Sequence, residues 1–168
     1  MPHRFRAAAA VVILALGAAP AQAQSVRLIG EFNAWSAYAA SEGAGALCFA
    51  LSKPTQVTPT PDGFTEAWLY LTQRSAEGVR NEFNLVAGFT FAPDSQATAS
   101  ISGQSFPLFT ERDAAWLLDP AQAESLAAAI RSGSTLIVEG TSDKGIRISE
   151  TFSLSGATAA SRAIQTDC

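Results

Sequence analysis

Two cysteines, one misplaced carboxylate and a near-absence of histidine bound the chemistry open to this chain. Cys48 and Cys168 are its only cysteines. They are not arranged as C-x-x-C, so their spacing does not suggest a redox-active pair. In an oxidising compartment two cysteines allow one intramolecular bond. A structural Cys48–Cys168 disulfide would close a loop of about 120 residues and restrict the unfolded chain. The second residue is Glu150, among Ile146, Ile148, Phe152 and Leu154 on the apolar face of its segment. An ionised, unpaired carboxylate is prohibitively costly to bury. The pattern therefore predicts a buried ion pair, with Arg74 or Arg80 the nearest candidates. Glu150→Gln should then cost about 1–3 kcal/mol, as a charged partner loses its acceptor. The catalytic alternative is an acid in a cleft.

The single histidine, His3, lies in an N-terminal segment that reads as removable. Without it a Ser-His-Asp triad, a Cys-His pair and a histidine zinc site have no base or ligand. Serine motifs fail as well. Gly103-Gln-Ser-Phe-Pro107 lacks the closing glycine of a nucleophile elbow, and Ala50 and Thr141 stand where Ser-x-x-Lys would need serine. Gly43-Ala-Gly45 has no later glycine for a dinucleotide loop. Hydrolysis by two carboxylates stays open, since any two acids can meet in space. Trp35, Trp68 and Trp116 read as core or rim residues, the alternative being a carbohydrate or peptide platform. No catalytic residue, metal ligand or cofactor site is predicted.

Residues 1–23 read as a secretory signal. His3, Arg4 and Arg6 precede the apolar run Ala7–Leu16, and Ala21-Gln-Ala23 is an A-x-A cleavage signal. Cleavage between Ala23 and Gln24 would leave 24–168, the length of one domain. No later run approaches the roughly 18 apolar residues of a transmembrane helix. Losing Arg4 and Arg6 from 11 basic residues leaves 9 against 15 acidic ones, a net charge of −6. That balance disfavours nucleic acid and anionic membranes, which select Lys/Arg clusters. The implied location is periplasmic or secreted.

The remaining chain reads as many short strands with two short helices. Ser25–Tyr38 is apolar with a bend, and Ala46–Leu51 is a short buried run. Pro54–Gly63, with three prolines, reads as a surface loop. Phe64–Thr72 follows, then Gln73–Arg80 as a polar connection. In Asn81–Phe91 the odd positions Phe83, Leu85, Ala87, Phe89 and Phe91 share one face. Ala97–Ile101 and Ser105–Phe109 flank Gly103-Gln104, a hairpin signal. Asp119 can cap a helix with Pro120 first, Gln122 reaching back and Gly133 as a left-handed stop. A second helix runs from about Gly156 to Thr166. Ala157, Ala160, Ile164 and Cys168 share its inner stripe. The predicted fold is mainly β, an antiparallel sandwich or barrel-like sheet with the second helix C-terminal.

Four pieces, in order, carry a family resemblance. They are Phe32-Asn-Ala-Trp35 with Cys48–Pro54, then Leu71–Glu82, then Gly103–Thr110 with Ala115-Trp116, and Thr151–Gly156 with the helix and Cys168 after it. On these the chain resembles the invasion-associated locus B family of bacterial exported proteins. The resemblance implies a non-enzymatic envelope or surface protein associated with host-cell invasion, and it transfers no catalytic residue. Trp35-Ser-Ala-Tyr38 lacks a further cysteine that the pattern places shortly after the tryptophan.

Three classes follow. The first is an envelope protein acting on another envelope or host protein. The second is a small-molecule or glycan-binding module, to which an apolar pocket with converging polar groups would point. The third is a carboxylate enzyme, to which two acids facing across a cleft would point.

Overall fold

The computed structural model describes residues 25–42 and 45–168. The signal sequence and its Ala23/Gln24 cleavage site lie outside them. Eleven strands form one antiparallel sheet. They are β1 (Val26–Phe32), β2 (Trp35–Glu42), β3 (Gly45–Ser52), β4 (Gln56–Thr58), β5 (Trp68–Arg74), β6 (Val79–Val86), β7 (Gln96–Ile101), β8 (Gln104–Glu111), β9 (Ala114–Leu117), β10 (Thr135–Thr141) and β11 (Arg147–Ser153). The helices are α1 (Ala123–Ser132) and α2 (Ala157–Asp167).

The strand order is β1-β2-β3-β5-β6-β9-β8-β7-β10-β11-β4. The sheet is open, because β1 and β4 remain edges. It nevertheless coils back on itself. The Trp35 indole donates to the Ser153 carbonyl at 3.0 Å, and the Ala34 amide donates to Ser155 at 3.1 Å. The start of β2 thus meets the end of β11 across the sheet. Twist alone curls a sheet of this many strands.

Alternation decides which face goes inside. Cys48 and Ala50 on β3, Leu69 and Leu71 on β5, Phe83 and Leu85 on β6, and Leu136 and Val138 on β10 are buried. Their neighbours in sequence are more exposed, as period-two geometry requires. Leu126 and Ile130 of α1, and Ala157, Ala160 and Ile164 of α2, pack onto this core. The stripe predicted for α2 is therefore the buried one.

Several local expectations shift. A strand, β4, forms inside the proline-rich loop because β11 supplies its partner: Val57 pairs with Glu150. The β7–β8 turn is Ser102-Gly103, one residue earlier than predicted, and both residues have positive φ. Such a primed turn matches the strand twist. Asp119 does cap, accepting from the Ala121 amide at 3.0 Å. Gln122 does not reach back, and its buried Oε1 has no hydrogen-bond partner among the described residues. Gly133 is extended (φ −82°, ψ 171°), not left-handed. A Cβ there would sit 2.6 Å from Ile101 Cγ2, so close packing rather than backbone freedom requires glycine.

Gly156 is required on both counts. Its φ is +94°, and an added Cβ would overlap the Phe32 carbonyl. Gly156→Ala should cost about 3 kcal/mol, combining backbone strain with overpacking. Gly145 also has positive φ (+75°) but open space around it. Gly145→Ala should therefore cost only about 1 kcal/mol. Urea midpoints for the two variants check this, and equal losses would contradict it.

Candidate functional site

The site begins at the disulfide. Cys48 on β3 and Cys168 after α2 are bonded, with Cα atoms 5.9 Å apart. Cys48 faces Gln73 across the β3–β5 ladder. The bond thus holds the end of α2 over the inner face of β5. Ser75 adds a second tie, its hydroxyl donating to the Cys168 carbonyl at 2.6 Å.

Next to the disulfide runs a buried polar relay. Gln73 is 4% exposed and Asn81 8%. Register shifts between β5 and β6 here, and Asn81 has positive φ (54°). A bulge of this kind re-aims a side chain. Asn81 Nδ2 donates to Glu124 Oε2 at 2.7 Å, and Arg131 donates to Glu124 Oε1 at 2.7 Å. An ionised carboxylate only accepts, so the Asn81 amide orientation is set. Its Oδ1 then receives Gln73 Nε2 at 3.0 Å. Gln73 Oε1 is left without a donor among the described residues. The relay borders a polar pocket of about 390 Å³, with Arg80 and Gln165 on its walls.

An apolar groove of about 530 Å³ adjoins it. Its origin is a gap in the sheet. β9 ends at Leu117 and pairs with β6 only over Asn84–Val86. Residues 79–83 of β6 have no ladder on that side. Pro120 and Ala123 approach the space instead, and Val79, Phe109, Trp116 and Leu117 complete its lining. Phe109 and Trp116 are cross-strand partners and stack, with centroids 5.4 Å apart and planes at 17°.

Arg80 lines both spaces. It is exposed, and among the described residues no acid pairs with it. Its neighbour Arg74 takes Glu77 at 3.1 Å and also Glu82. Arg131 is committed to Glu124. Arg80 is therefore the uncommitted cation at the junction.

Glu150 corrects the sequence reading. It is buried, 1% exposed, but neither Arg74 nor Arg80 reaches it, and among the described residues both its oxygens lack hydrogen-bond partners. The strand order explains this. β11 lies between β10 and β4, which set Val138 and Val57 beside it, whereas both arginines sit at the β5–β6 turn. Desolvation pushes the Glu150 carboxyl up to about 8. At neutral pH it is largely a neutral acid, which removes the need for a cation.

The three tryptophans separate. Trp35 is core, Trp68 lies beneath the Lys53 ammonium at 4.3 Å, and Trp116 lines the groove. Sequence reasoning missed the Gln73–Asn81–Glu124 relay, because residues 73–80 read as a connection. The available signal was Gln73 itself, at the inward position two beyond Leu71.

A coiled antiparallel sheet closed by two helices and one disulfide defines the class of fold. The crystal structure of invasion associated protein B from Bartonella henselae has a similar fold. The TM-score is 0.59, over 82% of this chain and 96% of that one, at 16% sequence identity. No family model and no curated protein matches the chain. Among the described residues no helix is long and apolar enough to cross a membrane.

Proposed function

We propose that this chain is an exported, non-catalytic envelope protein of the invasion-associated locus B kind, and that it works by binding a protein partner. The observation that carries the reading is Arg80, an unpaired cation between an aromatic groove and a polar pocket. Groups that bind without reacting need shape, a few polar anchors and a rigid frame. The relay and the disulfide supply the frame. The shared fold and the signal-like N-terminus support export to the periplasm or beyond. A small-molecule module is the second reading, favoured by the combination of an apolar groove with converging polar groups.

The test is capture from envelope fractions on the oxidised protein and on Arg80→Glu. A partner retained by the first and lost by the second is expected. Equal retention, or nothing retained by either, overturns the reading. Export has its own check. Mass spectrometry of the native envelope protein should find a mature chain beginning at Gln24, and a chain retaining Met1–Ala23 would exclude the processing step.

A further inference from the structure

We infer that the site receives the C-terminus of a polypeptide whose last residue is aromatic, with its α-carboxylate on Arg80, its last amide N–H on Gln73 Oε1 and its ring in the groove. This deepens the binding reading above and rests on it.

Two polar groups at the site are left unpaired among the described residues. Gln73 is almost wholly buried, its Nε2 is used by Asn81, and no donor among the described residues reaches its Oε1. That oxygen is not among the sealed, partnerless atoms, and Gln73 lines the polar pocket. A buried amide acceptor that opens onto a pocket is hydrated in the free protein, and a ligand N–H or O–H can take that water's place. Its orientation is not adjustable, because the Glu124 carboxylate dictates it through Asn81.

The second unpaired group is Arg80. Guanidinium is the side chain best matched to a planar carboxylate. Arg131 cannot serve equally, since Glu124 already neutralises it. Arg80 supplies one positive charge, Glu82 is held by Arg74 and Glu111 adds a negative charge nearby, so one carboxylate is the most the site matches. A phosphate dianion would bring more charge than this site balances.

The third feature is the groove. Its volume exceeds that of the polar pocket, and its lining is mostly apolar. A ring can lie along the edge of the Phe109–Trp116 stack. A sugar is less well matched, because Phe109 already covers one face of the Trp116 ring. An acceptor, a cation and an apolar slot around one side chain describe an aromatic residue ending in a free carboxylate. The acceptor decides between a free amino acid and a chain end. A lone neutral carbonyl suits an amide N–H, whereas an ammonium needs several acceptors or an uncommitted acid. Glu124 is committed twice, and Glu111 lines the groove rather than the polar pocket that holds Gln73.

The test uses the full oxidised protein and labelled hexapeptides read by fluorescence anisotropy. The reference peptide ends in Phe with a free carboxylate. A C-terminal carboxamide should bind at least roughly tenfold more weakly, as should an Ala-ended peptide. An ester in place of the last peptide bond removes the N–H and should weaken binding several-fold. Arg80→Gln, at an exposed position, should erase the difference between acid and carboxamide. Acid and carboxamide binding alike, or Arg80→Gln weakening both equally, would overturn the assignment. So would unlabelled free phenylalanine competing as well as unlabelled reference peptide. If no peptide binds while envelope capture still depends on Arg80, the peptide-end assignment falls and the binding reading stands. If capture is also indifferent to Arg80, both fall.

Discussion

Raising the pH from 5 to 9 should destabilise this protein markedly, and Glu150→Gln should remove most of that loss. Glu150 titrates at about 8 in the folded chain, against 4.5 for an ordinary glutamate. Between those values the folded state keeps a proton that the unfolded state has released. Stability therefore falls as pH rises. The contribution from Glu150 is fully present below about 4.5 and is lost as pH rises through about 8. The difference corresponds to something on the order of 5 kcal/mol, a large share of a small domain's stability. Urea unfolding of both proteins at several pH values measures it. Near pH 5 the two should agree within about 1 kcal/mol, because both side chains are then neutral and similarly shaped. Glu150→Leu should be the more stable at every pH, since it buries no polar group. The expectation that the amide weakens the fold assumed an arginine partner, and no described arginine reaches Glu150. If wild type and Glu150→Gln lose stability in parallel as pH rises, Glu150 is not the proton-holding group.

The second large effect is at the disulfide. Replacing Cys48 and Cys168 together by alanine should cost up to about 5 kcal/mol, the chain-entropy value for a loop of this length. The native fold should persist, because Ala157, Ala160 and Ile164 still pack against the core. Binding should suffer beyond stability. Without the bond the Ser75 contact to the Cys168 carbonyl has nothing to hold its acceptor in place. One wall of the polar pocket then becomes mobile. At a temperature where the variant remains folded, affinity for the Phe-ended peptide should drop several-fold. Binding to the groove alone, read with a carboxamide peptide, should change little. An unchanged urea midpoint in the variant would remove the entropic account.

Patterns read within one element transferred well to the fold. Of the odd positions read over residues 81–91, Phe83, Leu85, Ala87 and Phe91 are buried, whereas β6 ends at Val86 and Phe89, beyond it, is only half-buried. The α2 stripe pointed Cys168 inward because the period of an element is local. What was not legible depends on strand order. Glu150 was read correctly as inward, but its neighbours come from β10 and β4, which no spacing within β11 reveals. β4 itself is three residues among prolines, a strand only because β11 has an edge to offer. The relay joins β5, β6 and α1 through a bulge, and a bulge leaves no periodic trace. Gly133 misled because glycine after a helix usually signals a left-handed turn, whereas here it makes room for Ile101.

The position of β4 also sets an order of assembly. Strands β1, β2 and β3 follow one another, and β5 and β6 continue the same meander, with β4 skipped between them. That meander can form from the first half of the chain as it appears. β4 cannot, because its one strand partner among the described residues is β11, about ninety residues later in the sequence. Residues 56–58 must wait, tethered at both ends, until the far edge exists. Glu150 gains Val57 as its neighbour only at that moment, so the acid keeps access to water on that side until β4 docks.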